Sequence, residues 1–190
     1  MSHGTEKCIG NESSQESIAM NKTSQCNNDY LEHYTSHGIS PVRQDISDIQ
    51  SHFHRRTTLY RTLGLLPSCF TGKKVLEVGP GSGYNSLVIA HWNPSTYVLV
   101  EPNQTGVSHI RSLFKERHID ESRIEIVNTT IEDFSPNNQY DVILCEGMIP
   151  GLKNKEQVLT KLDALLRKDG VMVLTCIDEI SIFFEIIRYY

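Results

Sequence analysis

The sequence predicts a doubly wound α/β fold with a mainly parallel sheet. From residue 73 onward, short apolar runs alternate with longer amphipathic segments, and the connections between them are short. A parallel strand that is buried on both faces reads as a continuous apolar run, as these runs do. Strands and helices in alternation are typical of a parallel sheet covered by helices.

The predicted elements follow in a regular order. Strands are predicted over 75–78, 96–101, 123–128, 140–145 and 170–177. Helices are predicted over 83–92, 105–117, 155–167 and 178–190. Ahead of the sheet, 29–34 and 47–63 have helical periodicity, and Gly64 is placed to end the second of these helices. Its apolar face is predicted to hold Ile49, Phe53, Tyr60 and Leu63, with Arg56 interrupting it.

The chain of 190 residues suits one domain preceded by a tail. Residues 1–28 are polar and low in apolar content, which predicts a disordered tail. We interpret 29–71 as an N-terminal helical cap and 72–190 as the α/β domain that binds a ligand.

Composition excludes several classes of protein. The formal net charge is -5 and there is no long basic run, so a nucleic-acid surface is not expected. Five cysteines without a CxxC pair argue against a disulfide framework or a zinc site, and no metal is predicted. The N-terminus lacks a signal-peptide core and no segment reaches the length of a membrane span, so we expect a cytoplasmic protein.

The stretch KKVLEVGPGSGYNS, residues 73–86, is the strongest motif. Gly79, Gly81 and Gly83 follow the first predicted strand and precede a helix, where a doubly wound sheet binds its ligand. A dinucleotide fingerprint, G-x-G-x-x-G, would want glycine where Tyr84 stands, and no GK[ST] follows for a P-loop. Glu77, ahead of the glycines, would compete with a phosphate but suits a cation, such as the ammonium and sulfonium of S-adenosylmethionine.

On these residues LEVGPGSG resembles motif I of the class I S-adenosylmethionine-dependent methyltransferases, E/D-x-G-x-G-x-G, and the likeness extends over about 72–187. The resemblance implies a Rossmann-like methyltransferase fold with S-adenosyl-L-methionine as cofactor. It implies that the three glycines line the methionine and ribose side and that Glu77 faces the amino group. The implied cofactor-binding set also includes Pro80, Asn85 and Pro102.

Two further positions match the family in this reading. Glu101 ends the second strand, where the family has an acid that binds both ribose hydroxyls; a NAD site would want an acid there too. After the third strand, Thr130 stands where the family often has an acid for adenine, with Ile131 beside the ring. Glu132 or Asp133 could replace that acid by a small shift.

Cys145 and Glu146 leave the fourth strand where the transferred methyl group should point. Glu146 is the predicted catalytic residue, either as a general base or as a contact to the amino-acid end of the cofactor. Arg56 is predicted to keep its head in water at the edge of the helix face. Tyr30 and Tyr34 could cover the cofactor, and Arg55 is assigned to a solvated face. The histidines His33, His37, His54 and His91 are assigned to surface or helix-face positions.

The resembled fold continues into two more strands, whereas this sequence predicts only five strands. The fifth strand would then have an open edge beside an apolar last helix. We expect a shortened domain, or a homodimer through this C-terminal edge.

Three functions are consistent with the sequence. The preferred one is a methyltransferase acting on a small-molecule substrate or a glycan-type hydroxyl. The others are a nicotinamide-dependent oxidoreductase and an inactive cofactor-binding module.

Overall fold

A parallel sheet forms the centre of the molecule. The structure, a computed structural model, describes residues 46–176 and the single positions 178, 180, 183 and 187. Its strands are β1 Lys74–Val78, β2 Thr96–Val100, β3 Ile124–Val127, β4 Tyr140–Cys145 and β5 Leu166–Leu174. They lie in the order β3-β2-β1-β4-β5, and every neighbouring pair is parallel. The predicted doubly wound sheet is confirmed.

Four helices flank the strands in the described part of the chain: α1 Ile49–Thr62, α2 Tyr84–His91, α3 Gln104–Glu116 and α4 Lys155–Leu165. Asp48 caps α1 by accepting a hydrogen bond from the Ser51 backbone N–H at 3.0 Å. Asn103 caps α3 in the same way through Thr105. Gly64, with φ +79°, ends the turn after α1 as predicted, because glycine adopts this left-handed backbone without strain.

Two apolar cores cover the two faces of the sheet. Alternate strand residues point to opposite faces, so Val75 and Tyr97 belong to one core while Leu76 and Val98 belong to the other. The first core contains residues of α1, α2 and α3, and the second contains Val158 and Leu162 of α4. Helices therefore cover both faces, which is what makes the strand sequences continuously apolar.

The buried face of α1 differs from the prediction at its end. Tyr60 is buried, and Ile49 and Phe53 pack against the first core as expected. Leu63 is exposed, because α1 ends at Thr62 and Leu63 has left the helix. His52, near the start of α1, is an additional residue of the buried face. Its ring nitrogen Nε2 lies 3.1 Å from the Tyr84 carbonyl oxygen.

β5 begins four residues earlier than predicted, and α4 is two residues shorter. Leu166 pairs with Tyr140, whereas the next pairing joins Val171 to Val142, so the strand carries a bulge. Gly170 lies in this bulge, where a Cβ would stand 2.9 Å from the Asp141 carbonyl oxygen. The residues before the bulge add Leu166 to the strand ahead of the apolar run that predicted it.

Several predictions fall outside the described residues. These are the tail, the helix over 29–34 with Tyr30 and Tyr34, the histidines His33 and His37, and most of the last helix. Of that helix, the described positions 180, 183 and 187 are helical, and Ile180, Phe183 and Ile187 are more than half exposed. In the described sheet β5 lies at the edge, beside β4.

Candidate active site

The strand order reverses between β1 and β4, and the loops that follow these two strands face each other there. In doubly wound sheets the crevice at this reversal, outside the carboxyl ends of the strands, binds the ligand. A Cβ on Gly79, after β1, would lie 3.4 Å from Sδ of Met148, after β4. The glycine loop and the loop of Glu146 therefore form the two sides of one crevice.

A hydrogen bond joins the glycine loop to the end of β2. The Gly81 backbone N–H donates to Glu101 Oε2 at 2.8 Å, and φ of Gly81 is +58°. Gly83 has φ +81°, and a Cβ there would stand 2.7 Å from Ile110 Cγ1 of α3. Any side chain at Gly83 would push α3 away, so this glycine serves helix packing as well as the turn.

Glu101 is buried at the end of β2 and accepts two backbone hydrogen bonds. Oε2 binds Gly81, and Oε1 accepts from the Asn103 N–H at 2.8 Å. Burial raises the pKa of Glu101, and the two backbone donors oppose that rise. A carboxylate has about four lone-pair positions, so two remain for a vicinal diol.

Glu77 is also buried, and it lies on the face of the sheet that α1 and α2 cover. The Tyr97 hydroxyl donates to Glu77 Oε2, and the Ser86 hydroxyl lies beside the carboxylate. Burial raises the pKa of Glu77 to about 7, and the hydrogen bond from Tyr97 opposes the rise. The charge of Glu77 is therefore sensitive to what binds next to it.

Arg56, Tyr60 and Glu146 form a cluster on the other side of the crevice. The guanidinium of Arg56 pairs with Glu146 Oε2, and the Tyr60 hydroxyl donates to Oε1 at 3.0 Å. The guanidinium carbon of Arg56 also lies 5.2 Å from the centre of the Tyr60 ring. The prediction that Arg56 keeps its head in water is wrong, because the side chain is 14% exposed and its charge is paired.

Three buried polar atoms around this crevice have no hydrogen-bond partner among the described residues. They are Nε of Arg56, a donor, Oδ1 of Asn85, an acceptor at the start of α2, and Oγ of Ser86. The Ser86 hydroxyl lies close to Glu77 and Tyr97 without a hydrogen bond of ordinary geometry. Buried polar atoms are nearly always satisfied in folded proteins, so unsatisfied ones that border a crevice indicate a polar ligand.

The loop after β3 uses its polar side chains within the protein. Thr130 Oγ1 donates to Asp133 Oδ2 at 3.0 Å and accepts from the Asp133 N–H at 3.2 Å. Glu132 Oε1 accepts from Asn154 Nδ2 at 2.9 Å, which ties the loop to the start of α4. Ile131 is buried in the second core. The adenine contacts expected from this loop stay a prediction.

The remaining predicted site residues differ in accessibility. Pro80 and Pro102 are half-buried in the loops after β1 and β2. Cys145 is fully buried, and burial raises the pKa of its thiol to about 12, so its side chain is inert. His91 packs edge-on against Phe53, and His54 is exposed.

Sequence reasoning missed Tyr60 and Tyr97 as partners of the two acids. Tyr97 could have been found from the sequence. In paired parallel strands, a residue and the one two positions beyond its partner lie on the same face, and a buried tyrosine hydroxyl needs a hydrogen-bond partner. Arg56 gave a signal through its interruption of an apolar helix face.

The family of the chain follows from comparison with known proteins. A family model described as a methyltransferase domain matches residues 51–181. The match covers the sheet, most of α1 and both sides of the crevice. The chain belongs to this methyltransferase family and has its Rossmann-like fold, which implies S-adenosylmethionine as the cofactor.

Individual relatives agree with this assignment. The chain is 32% identical over 118 residues to a ubiquinone biosynthesis O-methyltransferase of Actinobacillus pleuropneumoniae, covering 57% of this chain and 47% of the relative. It is 26% identical over 129 residues to a tRNA U34 carboxymethyltransferase of Alteromonas mediterranea, covering 64% and 39%. The chain thus spans less than half the length of these curated relatives.

The fold agrees with a solved structure of coclaurine N-methyltransferase bound to N-methylheliamine and S-adenosylhomocysteine. The TM-score is 0.56 at 20% identity, covering 87% of this chain and 52% of that one. Across the part of the chain that is described, no helix combines the length and apolar character needed to cross a membrane.

The residues of the crevice fit the implied cofactor. Its diol needs acceptors, which Glu101 supplies. Its ammonium would need acceptors or negative charge, for which Asn85 Oδ1 and Glu77 are available, and its carboxylate would need a donor, for which Arg56 Nε is available.

Proposed function

We propose that the chain is an S-adenosylmethionine-dependent methyltransferase that acts on a hydroxyl of a small molecule, a sugar hydroxyl included. One observation carries the proposal. The polar groups around the crevice follow an order: a buried carboxylate, Glu101, at the end of β2, acceptors on β1 and α2, and a guanidinium nitrogen without a partner on α1. This order matches the ribose, ammonium and carboxylate of one amphoteric nucleoside.

The glycine-loop spacing supports this cofactor over a nicotinamide dinucleotide. Tyr84 stands where a dinucleotide site has its third glycine, and Glu77 lies buried below the loop. A pyrophosphate would bring two negative charges towards that carboxylate, whose own burial already disfavours its charge. A ligand with a cationic end has the opposite effect.

Glu146 is proposed as a positioning residue. Its two carboxylate oxygens are engaged by Arg56 and Tyr60. With both oxygens already occupied, the carboxylate is poorly placed to take a proton from a substrate hydroxyl. In this proposal it holds Arg56 across the crevice and acts through that side chain, which is neither of the two roles predicted for it from the sequence.

The reaction asks little further of the chain. Bound S-adenosylmethionine supplies an activated methyl group, so positioning and exclusion of water can provide much of the rate. The ring of Tyr60 packs against Phe70 and Trp92 in the first core, which fixes the side chain that donates to Glu146.

The acceptor class rests on charge and on the relatives. The net charge of -5 disfavours a tRNA substrate, since each phosphate contact needs a basic partner. A relative of this chain is named as an O-methyltransferase of ubiquinone biosynthesis, which is small-molecule chemistry.

Two measurements test the proposal. Calorimetric titration should give saturable binding of S-adenosylhomocysteine and none of NADH; binding of NADH alone would refute the methyltransferase assignment. With methyl-labelled cofactor, label should reach hydroxylated small molecules from a panel of phenols and sugars. Transfer to tRNA instead would overturn the acceptor class, and transfer to neither, with the cofactor bound, would favour an inactive binding module.

A further inference from the structure

Tyr97 carries a hydroxyl into the middle of the first core. It is fully buried on β2, opposite Val75 of β1, among apolar side chains from α2 and α3. Phenylalanine would fill the same volume without bringing a polar atom into the core. A buried phenol hydroxyl usually finds a partner, and this one donates to Glu77.

The register of β1 and β2 makes this contact possible. Val75 pairs with Tyr97, and Glu77 pairs with Leu99, so Tyr97 and Glu77 are diagonal neighbours on one face. The hydroxyl binds only Oε2 of Glu77. The Ser86 hydroxyl lies beside the same carboxylate.

Other groups around Glu77 do not replace Tyr97. Glu146 and Arg56 act on it at longer range and with opposite sign, so their effects on the Glu77 charge partly cancel. The charge of Glu77 contributes to the raised pKa values of Tyr60 and Cys145. The Ser86 hydroxyl, on α2, lies beside the Glu77 carboxylate. Tyr97 is the group from a neighbouring strand that donates directly to the carboxylate.

We propose that Tyr97 is a positioning residue for cofactor binding: its hydroxyl donates to Oε2 of Glu77 and orients the carboxylate to receive the ammonium group of the cofactor. The inference rests on the proposed function. It assigns to a core strand residue a role in the affinity for the amino-acid end of the ligand, separate from its role in packing.

Tyr97→Phe tests the inference, with Tyr140→Phe as the matched control. Tyr140 is a buried strand tyrosine in the second core, on the other face of the sheet. Each variant is titrated with S-adenosylhomocysteine and with 5′-methylthioadenosine, which lacks the amino-acid end. At neutral pH, Tyr97→Phe should bind S-adenosylhomocysteine about tenfold more weakly, because a hydrogen bond to a charged group is lost. Binding of 5′-methylthioadenosine should be unchanged, and Tyr140→Phe should leave both affinities unchanged.

The pH dependence and a double variant provide further readouts. Loss of the Tyr97 donor favours the neutral form of Glu77, so the deficit should shrink as pH rises. In a Glu77→Gln background, Tyr97→Phe should have little added effect on S-adenosylhomocysteine. This cycle also decides the matter if 5′-methylthioadenosine binds the wild type too weakly to titrate.

The outcomes separate the two claims. Equal losses for both ligands, no loss for either, or a full effect of Tyr97→Phe in the Glu77→Gln background would overturn the role of Tyr97 alone. A wild-type chain that binds neither ligand would overturn the proposed function and this inference with it.

Discussion

Glu77 and Glu101 are both buried carboxylates at the carboxyl end of the sheet, yet the protein holds them in different ways. Glu101 accepts hydrogen bonds from two backbone N–H groups, so it ties together the loops after β1 and β2. Glu77 accepts a hydrogen bond from the side chain of Tyr97 and ties no loop. Burial raises the pKa of both, and that of Glu77 reaches about 7.

The different donors give the two acids different roles: Glu101 is structural, whereas the charge of Glu77 changes near neutral pH. Backbone donors are fixed by the fold and stay in place whatever binds. A carboxylate whose charge is balanced near neutral pH responds instead to its ligand. Glu101 is therefore expected to set the shape of the site, and Glu77 its preference for a cation.

The largest effect is expected from Glu101→Ala. It removes the acceptor of two backbone N–H groups as well as the diol-binding group, at about 1–3 kcal/mol for each unsatisfied donor. S-adenosylhomocysteine binding should fall by about 100-fold or more, and the melting temperature should fall too. Glu116→Ala, at an exposed glutamate on α3, is the control and should change neither. A fully stable Glu101→Ala protein would contradict the structural role.

The second prediction concerns pH. Glu77 loses its charge as pH falls through about 7, so S-adenosylhomocysteine affinity should drop about tenfold between about pH 8 and pH 6. The pKa of Glu77 is higher in the folded protein than in the unfolded chain. Its contribution to the stability of the free protein is therefore fully present at pH values below the unfolded pKa and is lost as pH rises through about 7. The lowered pKa of His52 acts in the opposite direction on stability. Binding is therefore the cleaner readout, and Glu77→Gln should remove most of its pH dependence. A wild-type affinity that does not vary with pH would contradict the titration of Glu77.

A smaller effect is expected from Arg56→Met, which keeps the length of the side chain and removes the guanidinium. Glu146 then keeps only Tyr60, and the donor Nε is lost. We expect S-adenosylhomocysteine affinity to fall by about tenfold or less, since the cluster is only partly buried. Arg61→Met, at an exposed arginine of the same helix, is the control. Equal effects of both substitutions would assign the loss to general charge.

The smallest effect is expected from Asp133→Ala. It removes the partner of the Thr130 hydroxyl in an exposed turn and should cost about 0.5–1 kcal/mol of unfolding free energy. Affinity for S-adenosylhomocysteine should change by less than about twofold. A tenfold loss would instead assign Asp133 to adenine, the alternative that the sequence left open.

Much of the fold was predictable because its signals are local. Apolar runs, the Gly64 stop and the glycine loop each specify their own segment, and the structure places them as expected. The start of β5 was not predictable, because it depends on a bulge formed against β4. Leu63 was misassigned because one residue of helix length decides whether it faces the core.

Candidate site residues could be predicted where they directly follow a strand or belong to a short motif. Glu101 follows directly from the strand that carries it. Arg56 and Glu146 are separated by 90 positions, and only the folded sheet brings them together. Charge pairs of this kind have no local pattern, which is why Arg56 was assigned to solvent.

A crystal structure of the chain soaked with S-adenosylhomocysteine tests the central claim most directly. We predict density in the crevice beside Gly81, with the ribose hydroxyls on Glu101 and the amino-acid end between Glu77 and Arg56. A ligand bound elsewhere, or bound in the crevice with its ribose away from Glu101, would contradict the assignment of the site.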